Sequence, residues 1–157
     1  MPKARTPSRE DSLSRDRIVL AAIDLLDEGS EDGLTFRALA ARLQTGAGAI
    51  YWHVSNKREL LVAATDAIVA QALAEVGTVS SPKKAIRKIA LCLFDAIEAH
   101  PWVGAQLSRA PWEADTLQIF EQLGRQVAGL DVRAGTQFTA ASALLAYILG
   151  VSVQNAA

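Results

Sequence analysis

Arg37, Tyr51, Trp52, His53 and Lys57 lie close together in the chain, and each carries a group that donates a hydrogen bond to an anionic oxygen. Taking Ile50 and Val54 as the inward face of a short helix, at 100° per residue, places Gly48, Ala49, Tyr51 and Trp52 on the outward arc. Two large aromatics then face solvent side by side, a liability unless they meet a partner; the alternative for either ring alone is packing against the first or the fourth helix of the same chain. Gly48 and Ala49 leave room for the close approach of a backbone or a thymine methyl. The Tyr51 hydroxyl, the Trp52 indole N–H and His53 can reach phosphate oxygens. Lys57 opens the following helix, where unpaired amides already favour an anion. Arg37, in the first turn of the preceding helix, reaches the same surface.

The elements that position these groups are all helical by periodicity. Ile18, Ala21, Ala22, Leu25 and Leu26 recur at helical spacing from Arg15 and predict a helix ending near Glu28. Gly29-Ser30-Glu31-Asp32-Gly33 then reads as a turn, with its glycines available for positive φ. Thr35 is the expected N-cap of a second helix reaching about Leu43, and Leu34 and Leu39 fit a hydrophobic staple. A short helix over 47–54 follows Gln44-Thr45-Gly46, and Asn56 with Glu59 makes a capping-box-like start to a long helix that runs towards Gly77. Short helix, tight turn and short helix, with polar donors on the second, match what a helix-turn-helix needs to enter a major groove.

Composition limits the reading. A chain of 157 residues is too small for a large multidomain enzyme, and its half-hydrophobic, alanine-rich makeup argues for a helical globular protein. Sixteen basic against seventeen acidic residues leave a net charge of −1, so any affinity for nucleic acid must be local. Residues 1–14, with Lys3, Arg5 and Arg9, read as a flexible, mildly basic arm able to follow phosphates or enter a minor groove, the bland and, on composition alone, favoured alternative being a solvated tail with no fixed contact. The first residues lack an apolar run, and the single Cys92 fits a reducing compartment; the expectation is a cytoplasmic protein.

The stretch LTFRALAARLQTGAGAIYWHVSNKRELLVA, Leu34 to Ala63, resembles the DNA-binding domain of the tetracycline-repressor (TetR) family. That resemblance implies an all-α fold: an N-terminal three-helix helix-turn-helix domain over 15–60, a connecting helix over 56–76, and a helical effector-binding and dimerisation domain over 77–157. It implies that Thr35 and Arg37 contact backbone or base, that Tyr51, His53 and Lys57 grip phosphates, and that positions 47 to 49 read bases. The expected DNA-binding set is therefore Thr35, Arg37, Gly46, Ala47, Gly48, Ala49, Tyr51, Trp52, His53 and Lys57. The turn departs from the family pattern, since Gln44 replaces the usual glycine and Thr45 the usual apolar residue. Gly46 to Ala49 offer the groove almost no side chain, so direct readout is thin and leans on Arg37, on methyl contacts and on DNA shape.

Helices are also expected over 82–99, 101–109 and 111–129. Their inward positions are Ile86, Ile89, Ala90, Leu93, Phe94 and Ile97 in the first and Leu117, Phe120, Leu123 and Val127 in the third. Asp131 is the expected cap of a last helix holding Phe138, Leu144, Leu145, Ile148 and Val151. Phe94, Trp102, Leu107, Trp112, Phe120, Phe138 and Tyr147 supply apolar walls, and His100 and Gln106 polar contacts, for an unidentified small-molecule effector. The bland alternative is that these side chains simply fill the core. Asp95, Glu98 and His100 lack the spacing of a metal site, and Cys92 has no histidine at helical spacing to activate it. Neither a metal, a cofactor nor an enzymatic activity is expected.

No charged residue follows Arg133, and the stretch to Ala157 is long enough for a membrane span. Thr136, Gln137, Thr139, Ser142, Ser152, Gln154 and Asn155 interrupt it, so a buried helix with a close-packing face is expected and no membrane partner. Its best partner is a second copy of the chain. The helix that follows it in the family is missing here, which suggests a trimmed C-terminus or a fragment. The reading is a ligand-responsive DNA-binding transcriptional regulator, a repressor and homodimer released from its double-stranded operator when an effector alters the tilt of the connecting helix. The competing readings are a helical protein-interaction module built on Tyr51-Trp52, and a small-molecule-binding protein or enzyme that keeps the front domain as scaffold.

Overall fold

The computed structural model describes residues 13–109 and 114–155, and every regular element among them is helical. The chain divides into two compact units, one ending at Leu60 and the other beginning at Leu61.

In the first unit, α1 (Arg15–Gly33) starts at Ser14, whose hydroxyl accepts from the Arg17 N–H at 3.3 Å. The expected turn after Glu28 is instead a kink: Ser30 adopts φ 54 and helical residues resume as far as Gly33. The positive φ thus falls on a serine and not on either flanking glycine. Thr35 caps α2 (Phe36–Arg42) as expected, its hydroxyl accepting from the Ala38 N–H at 3.1 Å, and Leu34 and Leu39 are both buried. Gln44, at the position where glycine is usual, is left-handed with φ 52. The third helix, α3 (Ala47–Tyr51), begins where expected but is shorter than 47–54, with Trp52 as its C-cap and no side-chain cap from Gly46 at its start. The His53 and Val54 amides still bond to the Ile50 carbonyl at 2.9 and 3.0 Å, and Ile50 and Val54 are fully buried, the inward face the periodicity predicts.

The next helix, α4 (Lys57–Val76), begins in this unit with Asn56 Oδ1 accepting from the Glu59 N–H at 2.9 Å and Glu59 Oε2 accepting from the Ser55 N–H at 2.9 Å. Ile18, Ala22, Leu26, Leu34, Leu39, Ile50, Val54 and Leu60 form the unit's buried interior. α2 packs on both α1 and α3.

The second unit holds the rest of α4, which ends before Gly77 with φ 60, and then α5 (Pro82–Ala99), α6 (Pro101–Arg109), α7 (Ala114–Ala128) and α8 (Gln137–Asn155). Pro82 opens α5 at the first helical position. Its buried stripe is Ala85, Ile89, Leu93 and Ile97, with Ile86, Ala90 and Phe94 only half-buried at its margin. The interior face of α7 is Thr116, Ile119, Leu123 and Val127. Leu117, expected inward, is 44% exposed, and Phe120 is half-buried. Leu123 and Val127 are inward as expected, and the difference is confined to the first half of α7, which packs on both α5 and α8.

Asp131 does not cap α8. A 3-10 turn (Ala134–Thr136) led by Arg133 precedes it, closed by the Thr136 hydroxyl and the Thr136 N–H both bonding to the Arg133 carbonyl at 2.8 Å. Within the single chain the last helix is only partly covered. Only Ala141, Ile148 and Ser152 of α8 are buried, while Phe138 and Tyr147 are 65% and 71% exposed and Val151 is exposed too. By length and composition Ala134–Asn155 is the helical stretch among the described residues long and apolar enough to cross a membrane, with a mean hydropathy of 1.5. On the packed side α8 approaches α6 closely: a Cβ on Gly104 would lie 2.9 Å from Val153 Cγ2 and 3.0 Å from Ile97 Cγ2.

Candidate nucleic-acid interface

The first unit turns a continuous set of donors and small residues to solvent. Trp52, at the end of α3, is 90% exposed and Tyr51 54% exposed, the side-by-side arrangement that the helical wheel predicts. Arg37, Thr35, Gly46 and Gly48 are exposed, and Ala47, Ala49, His53 and Lys57 half-buried. A Cβ added at Gly46 or Gly48 would meet nothing within 4 Å, so open space stands in front of the start of α3.

Two of the expected groups are held by contacts that sequence reading missed. The Tyr51 ring lies parallel to that of Phe36, centroids 4.3 Å apart and planes within 3°. The Lys57 ammonium donates to the Glu31 carbonyl at 2.6 Å, just past the kink of α1. No local signal marks either contact, since each joins elements separated by turns. Thr35 spends one lone pair on its capping bond, leaving its other acceptor capacity and its hydroxyl proton facing solvent.

Ion pairs brace the helices that carry this surface. Arg42 at the end of α2 reaches back to α1, 2.7 Å from Glu28 Oε1 and 3.4 Å from Asp24 Oδ2. The Glu28 hydrogen bond first, and then the two carboxylate charges, hold its pKa above the ordinary arginine value. Arg15 at the start of α1 lies 3.3 Å from Glu59 Oε1 at the start of α4. The Ser55 backbone N–H, and after it Arg15, hold the Glu59 carboxyl below its usual range.

The residues expected to line one effector pocket are dispersed in the second unit. Phe120 and Phe138 meet edge to face at 5.2 Å and border an apolar cavity of about 290 Å³ between α7 and α8, together with Thr116, Leu117, Ser142 and Leu149. His100 lines a different, smaller cavity of about 190 Å³ between α4 and α5, with Gln71, Glu75, Cys92 and Asp95. Trp102 and Leu107 are buried in the core, Phe94 and Gln106 are half-buried, and Tyr147 points out to solvent. Neither of these two cavities is lined by these last five side chains. Trp112 lies outside the described residues, as does the basic arm up to residue 12. Burial pushes the Cys92 thiol up, Glu75 and Asp95 push the same way, and Lys88 opposes them. Among the described residues there is no cluster of metal-ligating side chains.

Comparison with known proteins places this geometry. Residues 18–64 match the family pattern of the bacterial regulatory proteins of the tetR family. A solved structure, a TetR transcriptional regulator from Streptomyces coelicolor, is 55% identical and superposes with a TM-score of 0.86, covering 92% of this chain and 72% of that one. The chain belongs to the TetR family. A second TetR-fold structure, that of BioQ with its natural double-stranded DNA operator, is 29% identical with a TM-score of 0.76, over 92% of this chain and 88% of that one. In sequence, this TetR-family chain is 37% identical over 99 residues to an HTH-type transcriptional regulator from Saccharopolyspora erythraea. That match takes in 63% of this chain and 42% of the relative's length. The matched residues 18–64 take in α2 and α3.

Proposed function

We propose that this chain is a DNA-binding transcriptional regulator, a repressor, whose α3 enters the major groove of an operator. The observation that carries the reading is the outward pair Tyr51 and Trp52: a large apolar surface left in water beside Arg37 and Lys57 has a physical reason when an anionic partner covers it. Thr35, Arg37, Tyr51, Trp52, His53 and Lys57 bind the phosphates and base edges, and Gly46, Ala47, Gly48 and Ala49 admit the duplex closely. Arg37 carries the direct readout of guanine, and DNA shape carries the rest. BioQ, solved on its operator, is the precedent in the same fold.

We assign DNA binding to residues 15–60 with the basic arm 1–14, and effector binding and dimerisation to 77–157. The exposed Phe138, Tyr147, Gly150 and Val151 of α8 support pairing of two copies, which sets two recognition helices about one DNA turn apart. The α7–α8 cavity, walled by Phe120 and Phe138, is the better candidate effector site of the two, since a small uncharged molecule is held there by apolar contact. An effector that binds the DNA-incompetent state more tightly, by about 1–3 kcal/mol, releases the operator. The activity is binding in the cytoplasm, without turnover.

The test is binding to duplex DNA across a salt series. Affinity falls linearly on log–log axes with rising salt, and Arg37→Ala weakens it. Salt-indifferent binding, or affinity for a protein partner through Tyr51-Trp52 in place of DNA, sinks the proposal.

A further inference from the structure

Phe36 is absent from any expected contact set, yet its ring packs directly on a residue of the candidate interface. It is the first residue of α2, directly after the Thr35 cap and directly before Arg37, and its ring covers one face of the Tyr51 ring at 4.3 Å with the planes parallel. Parallel rings at that separation are offset-stacked, one of the arrangements aromatic pairs favour. Tyr51 is the last residue of a helix of only five residues that has no side-chain cap and carries a glycine at its second position. Such a helix holds its own last side chain weakly, because an interior glycine and a missing cap both favour fraying. Ile50 pins the inward side of α3, but the outward side is fastened at this stack.

We infer that Phe36 is a positioning residue for DNA recognition: it holds the Tyr51 ring in one orientation, aiming the phenol at a phosphate and firming the end of α3 before DNA arrives. This rests on the regulatory reading above. The stack removes the freedom of the Tyr51 side chain in the unbound protein, so less ordering remains to be done on binding. It also ties the C-terminal end of α3 to the N-terminal end of α2, keeping Tyr51 and Arg37 in one rigid frame. Phe36 itself has no donor and makes no phosphate contact.

The test is a double-mutant cycle on a duplex that the wild-type chain selects from a random-sequence pool. Phe36→Ala weakens binding by roughly two- to tenfold, the range an aromatic pair supports. In a Tyr51→Ala background the same change alters affinity less than about twofold, because the group it positions is gone. Phe36→Trp, which restores a stacking surface, recovers most of the loss, whereas Phe36→Leu does not. An independent readout comes from NMR of the tyrosine ring protons, with Tyr147→Phe removing the other tyrosine. The Tyr51 resonances lose their ring-current shift in Phe36→Ala while the thermal unfolding transition stays cooperative. Additive losses in the cycle, or unchanged binding in Phe36→Ala, overturn the inference. A wild-type chain that selects no duplex overturns the regulatory reading instead, and this one with it; loss of the ring-current shift then still verifies the stack itself.

Discussion

The ammonium of Lys57 donates to the carbonyl of Glu31 at 2.6 Å, fastening the first residue of α4 to the helical end of α1 just after the Ser30 kink. A lysine placed for an anion is thereby also a structural tie, and the two roles are separable. An ammonium bound to one carbonyl keeps two further N–H donors, so a phosphate contact and the Glu31 bond are compatible.

Lys57→Met keeps the aliphatic stem and removes the tie. It is expected to lower the stability of the first unit by about 1 kcal/mol, the modest net value of a partly solvated charge-assisted bond. Denaturant unfolding with an unchanged m-value checks this. An unchanged midpoint would mean that the Glu31 carbonyl is equally well served by water.

Trp52→Ala tests the opposite case. With 90% of its surface in water, Trp52 contributes almost nothing to the fold, and the variant should unfold within about 0.5 kcal/mol of the parent. Its affinity for duplex DNA should fall by about tenfold if the indole N–H donates to a phosphate. Unfolding at a clearly lower temperature with normal DNA binding would reverse the assignment.

Gln44 occupies a left-handed conformation with φ 52 that costs a side-chain-bearing residue about 1–2 kcal/mol. Gln44→Gly removes that strain and returns part of the gain as unfolded-state entropy. A net stabilisation of about 0.5–1 kcal/mol is therefore expected, read as a higher unfolding midpoint. Gln44→Val, with a β-branched side chain, should move the midpoint the other way.

Glu59 sets the pH response of the α4 start. Its folded carboxyl titrates below the ordinary 4.5, first because of the Ser55 N–H and then because of Arg15. The stabilisation is thus complete above that ordinary value and is lost as pH falls through the depressed one. Glu59→Gln should be less stable than the parent at neutral pH, and the gap should close on acidification. A gap independent of pH would assign the effect to packing and not to charge.

Gly104 of α6 lies directly under Val153 of α8. Gly104→Ala places a methyl 2.9 Å from Val153 Cγ2 and 3.0 Å from Ile97 Cγ2, and an overpacking cost of about 1–3 kcal/mol is expected. Adding Val153→Ala should recover part of that loss. Equal unfolding temperatures for the single and double variants would show that the crowding is relieved elsewhere.

Local pattern was sufficient for much of this protein. The Thr35 cap, the Asn56–Glu59 start of α4, Pro82 at the head of α5 and the inward Ile50 and Val54 each depend on residues within one or two turns of each other, so their spacing alone dictates them. The outward direction of Tyr51 and Trp52 follows from the same short-range periodicity. What only the tertiary structure decided are relations between elements: the Phe36 ring on Tyr51, the Lys57 ammonium on Glu31, and the division of the supposed effector residues between two cavities and the core. The exposure of Leu117 in the first half of α7, and the bare face of α8, belong to the same class. Periodicity marks a stripe on a helix but leaves its rotation uncertain by about one residue, or 100°. Which neighbour covers that stripe is set by how the helices cross, and in α8 an apolar sequence meets too few neighbours to be buried.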